Sequence, residues 1–171
     1  WRSLLRAAGK REGRSAGGRW LQLASLAVDG SPRVRTLVFR EWSAAATLDL
    51  LTDARSEKCL EMERTPEVEL CWLFRQAREQ FRLRGTAQLI APTGDPVALH
   101  QHWNRLPPSG RSVWAWPHPG DPFDPEGSWP QELFDDSEMP EHLRLLRISL
   151  HHVEQLDLKP HPHVRRLWRS V

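Results

Sequence analysis

The sequence predicts a mainly β fold, a small antiparallel barrel flanked by helices. Short segments in which apolar and polar residues alternate recur along the chain. Turn residues suited to hairpins join several of them. Helical patterns appear only as short insertions between these segments. The 171 residues, 39% hydrophobic and 27% charged, suffice for one domain with a real core over residues 1–171. No apolar run approaches the roughly 18 residues that a membrane span needs.

The opening Trp1-Arg2-Ser3-Leu4-Leu5 carries no apolar signal core. Residues 2–11 read as a helix with Leu4, Leu5 and Ala8 on one side, closed by Gly13, Gly17 and Gly18. A strand over 20–28 leads to the hairpin signal Asp29-Gly30. The next strand, 33–40, points Val34, Thr36 and Val38 one way and Arg33, Arg35, Leu37 and Phe39 the other. A third strand covers 47–52, and a helix capped by Asp53 or Ser56 runs to Arg64, before Pro66.

Residues 67–74 alternate, with Val68, Leu70, Trp72 and Phe74 on one face. Residues 79–90 alternate too, with Phe81, Leu83, Ala87 and Leu89 inward and Gly85 marking a bulge or close approach. Residues 95–105 suit a helix. Residues 107–130 hold seven of the 14 prolines and form a long irregular segment, which Trp114, Trp116 and Trp129 anchor. Two closing strands, 142–150 and 152–158, precede a basic tail from Arg165 to Arg169.

Composition excludes several functions. The net charge of +2, from 24 basic and 22 acidic residues, is too balanced for a nonspecific nucleic-acid binder. Two cysteines, Cys59 and Cys71, are too few for a disulfide scaffold or a zinc site, so reduced thiols in a cytoplasmic protein are expected. Eight histidines show no zinc spacing. His100 and His102 would point to different sides of a helix, His151 and His152 to different faces of a strand, and His161 with His163 offers two ligands only. No metal is expected, and no Ser-His-Asp constellation is readable.

The chemistry-bearing stretches are Arg33-Val34-Arg35-Thr36-Leu37-Val38-Phe39-Arg40 and Leu51-Thr52-Asp53-Ala54-Arg55-Ser56-Glu57-Lys58. All but three of the basic residues are arginines, so Lys58 at a helix start stands out. A helix N-terminus with a serine hydroxyl and an ammonium suits a phosphate monoester. By spacing alone, an ordinary capped helix with solvated charges fits the same residues.

These stretches belong to a longer ordered set: Trp1-Arg2, Leu21-Gln22-Leu23, Gly30-Ser31-Pro32, Glu69-x-Cys71-Trp72, Arg78-Glu79-Gln80-Phe81, Trp114-Ala115-Trp116-Pro117, Val153-Glu154 and Arg165-Arg166. Taken together, the chain resembles the FMN-binding split-barrel family typified by pyridoxamine 5′-phosphate oxidase, in its bacterial and plant branch. The resemblance implies a six-stranded antiparallel split β-barrel with flanking α-helices, two FMN sites at a homodimer interface, and an oxidoreductase acting on a small molecule.

Site roles implied by the resemblance follow the matching positions. Arg35 and the backbone of Thr36, Leu37 and Val38 would hold the ribityl phosphate and flank the flavin. Arg40 would sit near the ring and stabilise its reduced, anionic form. Leu51 and Thr52 would contact the ring or ribityl chain, Ser56 and Lys58 the phosphate, Gln80 and Arg166 the flavin. The region 111–116 would reach the partner's flavin. Glu57 stands where the oxidase has a second basic residue. Pro160-His161-Pro162-His163-Val164-Arg165-Arg166 replaces its Arg-Leu-His-Asp-Arg run, and Leu156 its tryptophan. The alternatives are a flavin-binding or redox-sensing protein without turnover, and a haem-handling split barrel using His161 and His163.

Overall fold

The structure is a computed structural model that describes residues 1–13, 15–134, 136–169 and 171. Helix α1 (Arg2–Glu12) and a 3-10 turn (Ala16–Arg19) precede strand β1 (Trp20–Leu26). Strand β2 (Pro32–Ala44), β3 (Thr47–Asp53), helix α2 (Glu57–Arg64), β4 (Glu67–Phe74) and β5 (Glu79–Ile90) follow. The chain continues through α3 (Pro96–Asn104), the short α4 (Pro108–Ser112), β6 (Leu143–Asp157) and β7 (Val164–Arg169). Among the described residues, no helix is long and apolar enough to cross a membrane.

All pairings are antiparallel, in the order β3-β2-β1-β4-β5-β6-β7 with a further β3–β6 pairing. That last ladder, from Thr47↔Ser149 to Asp53↔Leu143, closes a six-stranded barrel and leaves β7 as an extra strand. The inward residues follow the alternation in the sequence: Leu21 and Leu23 on β1, Leu48 and Leu50 on β3, Leu70 on β4, Phe81 and Leu83 on β5, and Ile148 on β6 are all fully buried. A second, smaller core joins Leu99, Trp103 and Trp114 to Leu51, Leu143 and Leu145 on the outside of the β3–β6 pair.

Three expectations need correction. The strand expected over 33–40 runs on to Ala44, with register shifts at Phe39/Glu41 and Trp42/Ala44. The first shift leaves Arg40 without a β3 partner, and such bulges re-aim the extra side chain. The two closing strands are one continuous strand, because the His151-His152 pair marks a bulge and not an end. Register there jumps from Arg84↔His152 to Gly85↔Leu150. The basic tail is a strand: Arg165 and Leu167 face Leu156 and Glu154, while Arg166 faces Gln155.

Helix α2 is tied to the sheet by a buried polar cluster. Arg35 of β2 faces inward beside Leu23. Its Nη2 lies 2.6 Å from Glu61 Oε2, and the hydroxyl of Ser25 donates to the same oxygen at 2.5 Å. Burial pushes the Glu61 carboxyl up, but hydrogen bonds from Ser25 and Arg35 outweigh it and hold the group below its ordinary value.

Two outcomes test this architecture. A Cβ at Gly85 would run into the Ser149 carbonyl oxygen and sit 3.0 Å from Ile148 Cγ2. Gly85→Ala should therefore cost about 1–3 kcal/mol in a thermal or denaturant melt; an unchanged midpoint contradicts the β5–β6 bulge. The depressed Glu61 contributes stability that is fully present above its unfolded value of 4.5 and lost as pH falls through the lower folded value. Glu61→Gln strands the Arg35 charge and should cost about 3 kcal/mol at pH 7. Melts at descending pH should show that gap narrowing below pH 4.5; a gap independent of pH contradicts the ion pair.

Candidate functional site

The turn between β3 and α2 is built by Asp53. Its Oδ1 accepts from the Arg55 backbone at 2.8 Å, and its carbonyl accepts from the Ser56 backbone at 3.1 Å and the Ser56 hydroxyl at 2.5 Å. Ser56 is the residue at the helix cap, yet its hydroxyl folds back to Asp53 instead of capping a helical N–H. The first N–H groups of α2 thus keep their capacity to meet an anion. Lys58 Nζ reaches round to Ser56 Oγ at 2.7 Å. Burial, joined by the like charge of Arg35, lowers the Lys58 ammonium below its ordinary value. A bound anion would reverse that effect.

Arg35, Ser56, Glu57 and Lys58, with Pro119 and Gly120 of the long loop, line a cavity of about 220 Å³. Three of the residues named from sequence therefore meet around one space. Glu57 is exposed at its rim. The loop is held over the cavity by its own contacts. Arg55 donates to the Trp116 carbonyl at 3.4 Å, Trp116 Nε1 donates to Pro130 O at 2.9 Å, and the Trp116 ring meets Trp129 edge-on. Trp116 is thus an anchor of the loop. Farther back, Arg111 is buried and donates to the carbonyls of Trp103 and Asn104, each at 3.2 Å.

The remaining residues lie elsewhere. Leu37 faces inward opposite Leu21, while Thr36 and Val38 face outward opposite Gln22 and Trp20. Leu51 and Thr52 are buried on β3, the Thr52 hydroxyl beside Cys59. Gln80 is half-buried on the outer face of β5, between Leu73 and Leu156. Arg166 donates to Gln155 Oε1 at 3.1 Å and lies near Asp157, in a cluster separate from the Ser56–Lys58 turn.

Arg40 lines a second cavity of about 540 Å³ with Arg6, Lys10, Arg19, Phe39 and Trp42. Its Nε has no partner, and no carboxylate pairs with it among the described residues. Burial, reinforced by Arg19, lowers its pKa. The residues that sequence reasoning missed are Glu61 and Ser25, which aim Arg35, and the Pro119-Gly120 wall. Inward-facing Arg35 was the available signal for a buried carboxylate; nothing local pointed to the loop.

Comparison with known proteins identifies the family and its fold. The family described as pyridoxamine 5′-phosphate oxidase, FMN-binding domain, matches residues 1–91. Pyridoxine/pyridoxamine 5′-phosphate oxidase 2 of Arabidopsis thaliana is 32% identical over 93% of this chain and 83% of its own length. The crystal structure of a pyridoxamine 5′-phosphate oxidase-related, FMN binding protein from Nostoc punctiforme superposes with a TM-score of 0.90 at 32% identity, covering 99% of this chain and 90% of that one. PhzG from Burkholderia lata shares the fold at 17% identity, with a TM-score of 0.77 over 99% of this chain and 84% of its own. The match supports FMN as cofactor, and the split barrel with its extra strand is the fold these relatives share. The chain belongs to the pyridoxamine 5′-phosphate oxidase-like family of FMN-binding proteins.

Proposed function

We propose that this chain is an FMN-dependent oxidoreductase acting on a small, anionic molecule, working as a cytoplasmic homodimer from one domain spanning residues 1–171. The observation that carries the reading is the cavity where Ser56, Lys58 and the start of α2 converge beside Arg35. Among the described residues Lys58 has no carboxylate partner there, and Arg35 is held in place by Glu61. A phosphate monoester supplies the negative charge and acceptor oxygens that such a place lacks.

Arg40 is five residues along β2 from Arg35, about 16 Å at roughly 3.3 Å per strand residue. The phosphate at one end of this span leaves room for a planar ring at the other. FMN, when bound, supplies the transfer of a hydride or electrons. The chain's own part is to hold the phosphate, shield the ring with the β2 backbone, and place the Arg40 cation where negative charge grows on reduction. Gln80 and Arg166, on the outer face and the added strand, would contribute across the dimer. Support for that dimer is the outer face of β1, β2 and β4, where Trp20, Val34 and Leu73 are 51%, 66% and 43% exposed. A second copy would cover them. Pyridoxamine phosphate itself fits less well, since the substrate-gripping run of the oxidase is replaced by 160–166.

Titration of the purified chain with FMN, followed by flavin fluorescence quenching, tests the reading. Replacing a charge-assisted hydrogen bond costs about 1.5–3 kcal/mol. Lys58→Gln should therefore weaken binding by about tenfold to a hundredfold, with Arg84→Gln on the outer face unchanged. Equal affinity in wild type and Lys58→Gln contradicts the phosphate assignment. Tight FMN binding with no turnover against nicotinamides, phosphorylated amines and oxygen makes the chain a flavin carrier instead.

A further inference from the structure

Outside the flavin site, two carboxylates and an imidazole converge on one point. Glu41 of β2 and Asp49 of β3 are direct register partners, so both side chains lie on the same face of the hairpin. Helix α3 crosses that face. Asp95 caps its N-terminus, accepting from the Ala98 backbone at 3.1 Å, and His102 in its last turn points inward. His100, two residues earlier, is exposed and bonds back to Pro96 O. His102 and Asp49 are 3% and 1% exposed, whereas Glu41 is half-exposed and gives the cluster an opening to solvent.

His102 Nε2 lies 3.3 Å from Glu41 Oε1 and 3.6 Å from Asp49 Oδ2. The three ligand atoms all fall within 4.8 Å of one another. Despite this proximity, His102 Nε2 is shut off from water and makes no well-aligned hydrogen bond among the described residues. A buried ring nitrogen without a partner is costly. We propose that Glu41, Asp49 and His102 bind a first-row divalent metal ion, Zn²⁺ by preference, which pins α3 to the β2–β3 hairpin.

Geometry, charge and the outer contacts agree. Zinc bonds to N and O donors are about 2.0–2.2 Å, so the edges of its tetrahedron are about 3.3–3.6 Å. The two separations from His102 Nε2 have that length. One imidazole with two carboxylates is a donor set for zinc and its neighbours in the row, with water completing the shell. The carboxylates are oriented from behind. Arg105 takes Glu41 Oε2 at 2.7 Å and leaves Oε1 toward His102. Arg147 grips Asp49 through two 2.9 Å hydrogen bonds, and Ser43 donates to Asp49 Oδ1 at 2.9 Å. Such outer contacts fix ligand direction in metal sites. The two guanidiniums do not cancel the acids, because Asp95 lies beside Arg147 as a third carboxylate. The surroundings thus keep one negative charge for the ion to offset.

Zn²⁺ titrated into the full chain by calorimetry in phosphate-free buffer, with thermal melts alongside, tests this site. The account expects one ion per chain, a raised melting temperature, and binding weakened at least tenfold in both His102→Gln and Glu41→Gln. The double variant His161→Gln/His163→Gln should bind as wild type does. Glu41 is half-exposed, so Glu41→Gln decides the matter even where His102→Gln fails to fold. No zinc taken up by the folded wild type, unchanged affinity in Glu41→Gln, or loss only in the His161/His163 variant would each overturn the proposal. These readouts do not involve FMN.

Discussion

Closure of the barrel by β3 against the first half of β6 is the constraint on which the candidate site hangs. From Thr47↔Ser149 to Asp53↔Leu143 the ladder is unbroken, and the Ala54 N–H extends it to His142 O at 2.8 Å. The last paired residue, Asp53, is also the residue whose carbonyl and carboxylate shape the turn into α2. A pairing in the sheet thereby fixes where the helix N-terminus points. On its outer side the same pair carries the second core, from which α3, α4 and the long loop are hung. Both walls of the anion cavity, the helix start and Pro119-Gly120, trace back to this one ladder.

Charge sorts the basic residues into two kinds. Several are spent on structure: Arg35 on Glu61, Arg55 on Asp53, Arg147 on Asp49, and Arg82 with Arg165 on the buried Glu154. Lys58 and Arg40 lack a carboxylate partner among the described residues although both are partly buried. A cation taken out of water without an acid is expensive, and proteins keep such groups where a ligand completes them. Lys58 lines the cavity at the start of α2, and Arg40 lines the larger cavity beside α1.

Much of the fold was legible because alternation is a local signal. The 67–74 and 79–90 segments are strands with the expected inward faces, and Gly85 marks the expected bulge. The merging of 142–150 with 152–158 was not legible. A bulge and a strand end leave the same trace in a period-two pattern, and only the partner strand distinguishes them. Nor was β7, since the adjacent Arg165 and Arg166 read as solvated charge until Glu154 and Gln155 are seen beside them. In the candidate site, Ser56 and Lys58 could be read from the helix start, and Arg35 from the strand read over 33–40. Glu61, Pro119 and the Glu41–Asp49–His102 cluster join residues far apart in sequence, and no spacing rule reaches across such loops.

A visible absorption spectrum of the purified chain, with mass identification of whatever is released on denaturation, tests the central claim most directly. The account predicts a flavin spectrum and release of FMN. A colourless protein that also takes up no added FMN would contradict it, and would reduce Ser56 and Lys58 to the ordinary start of a helix.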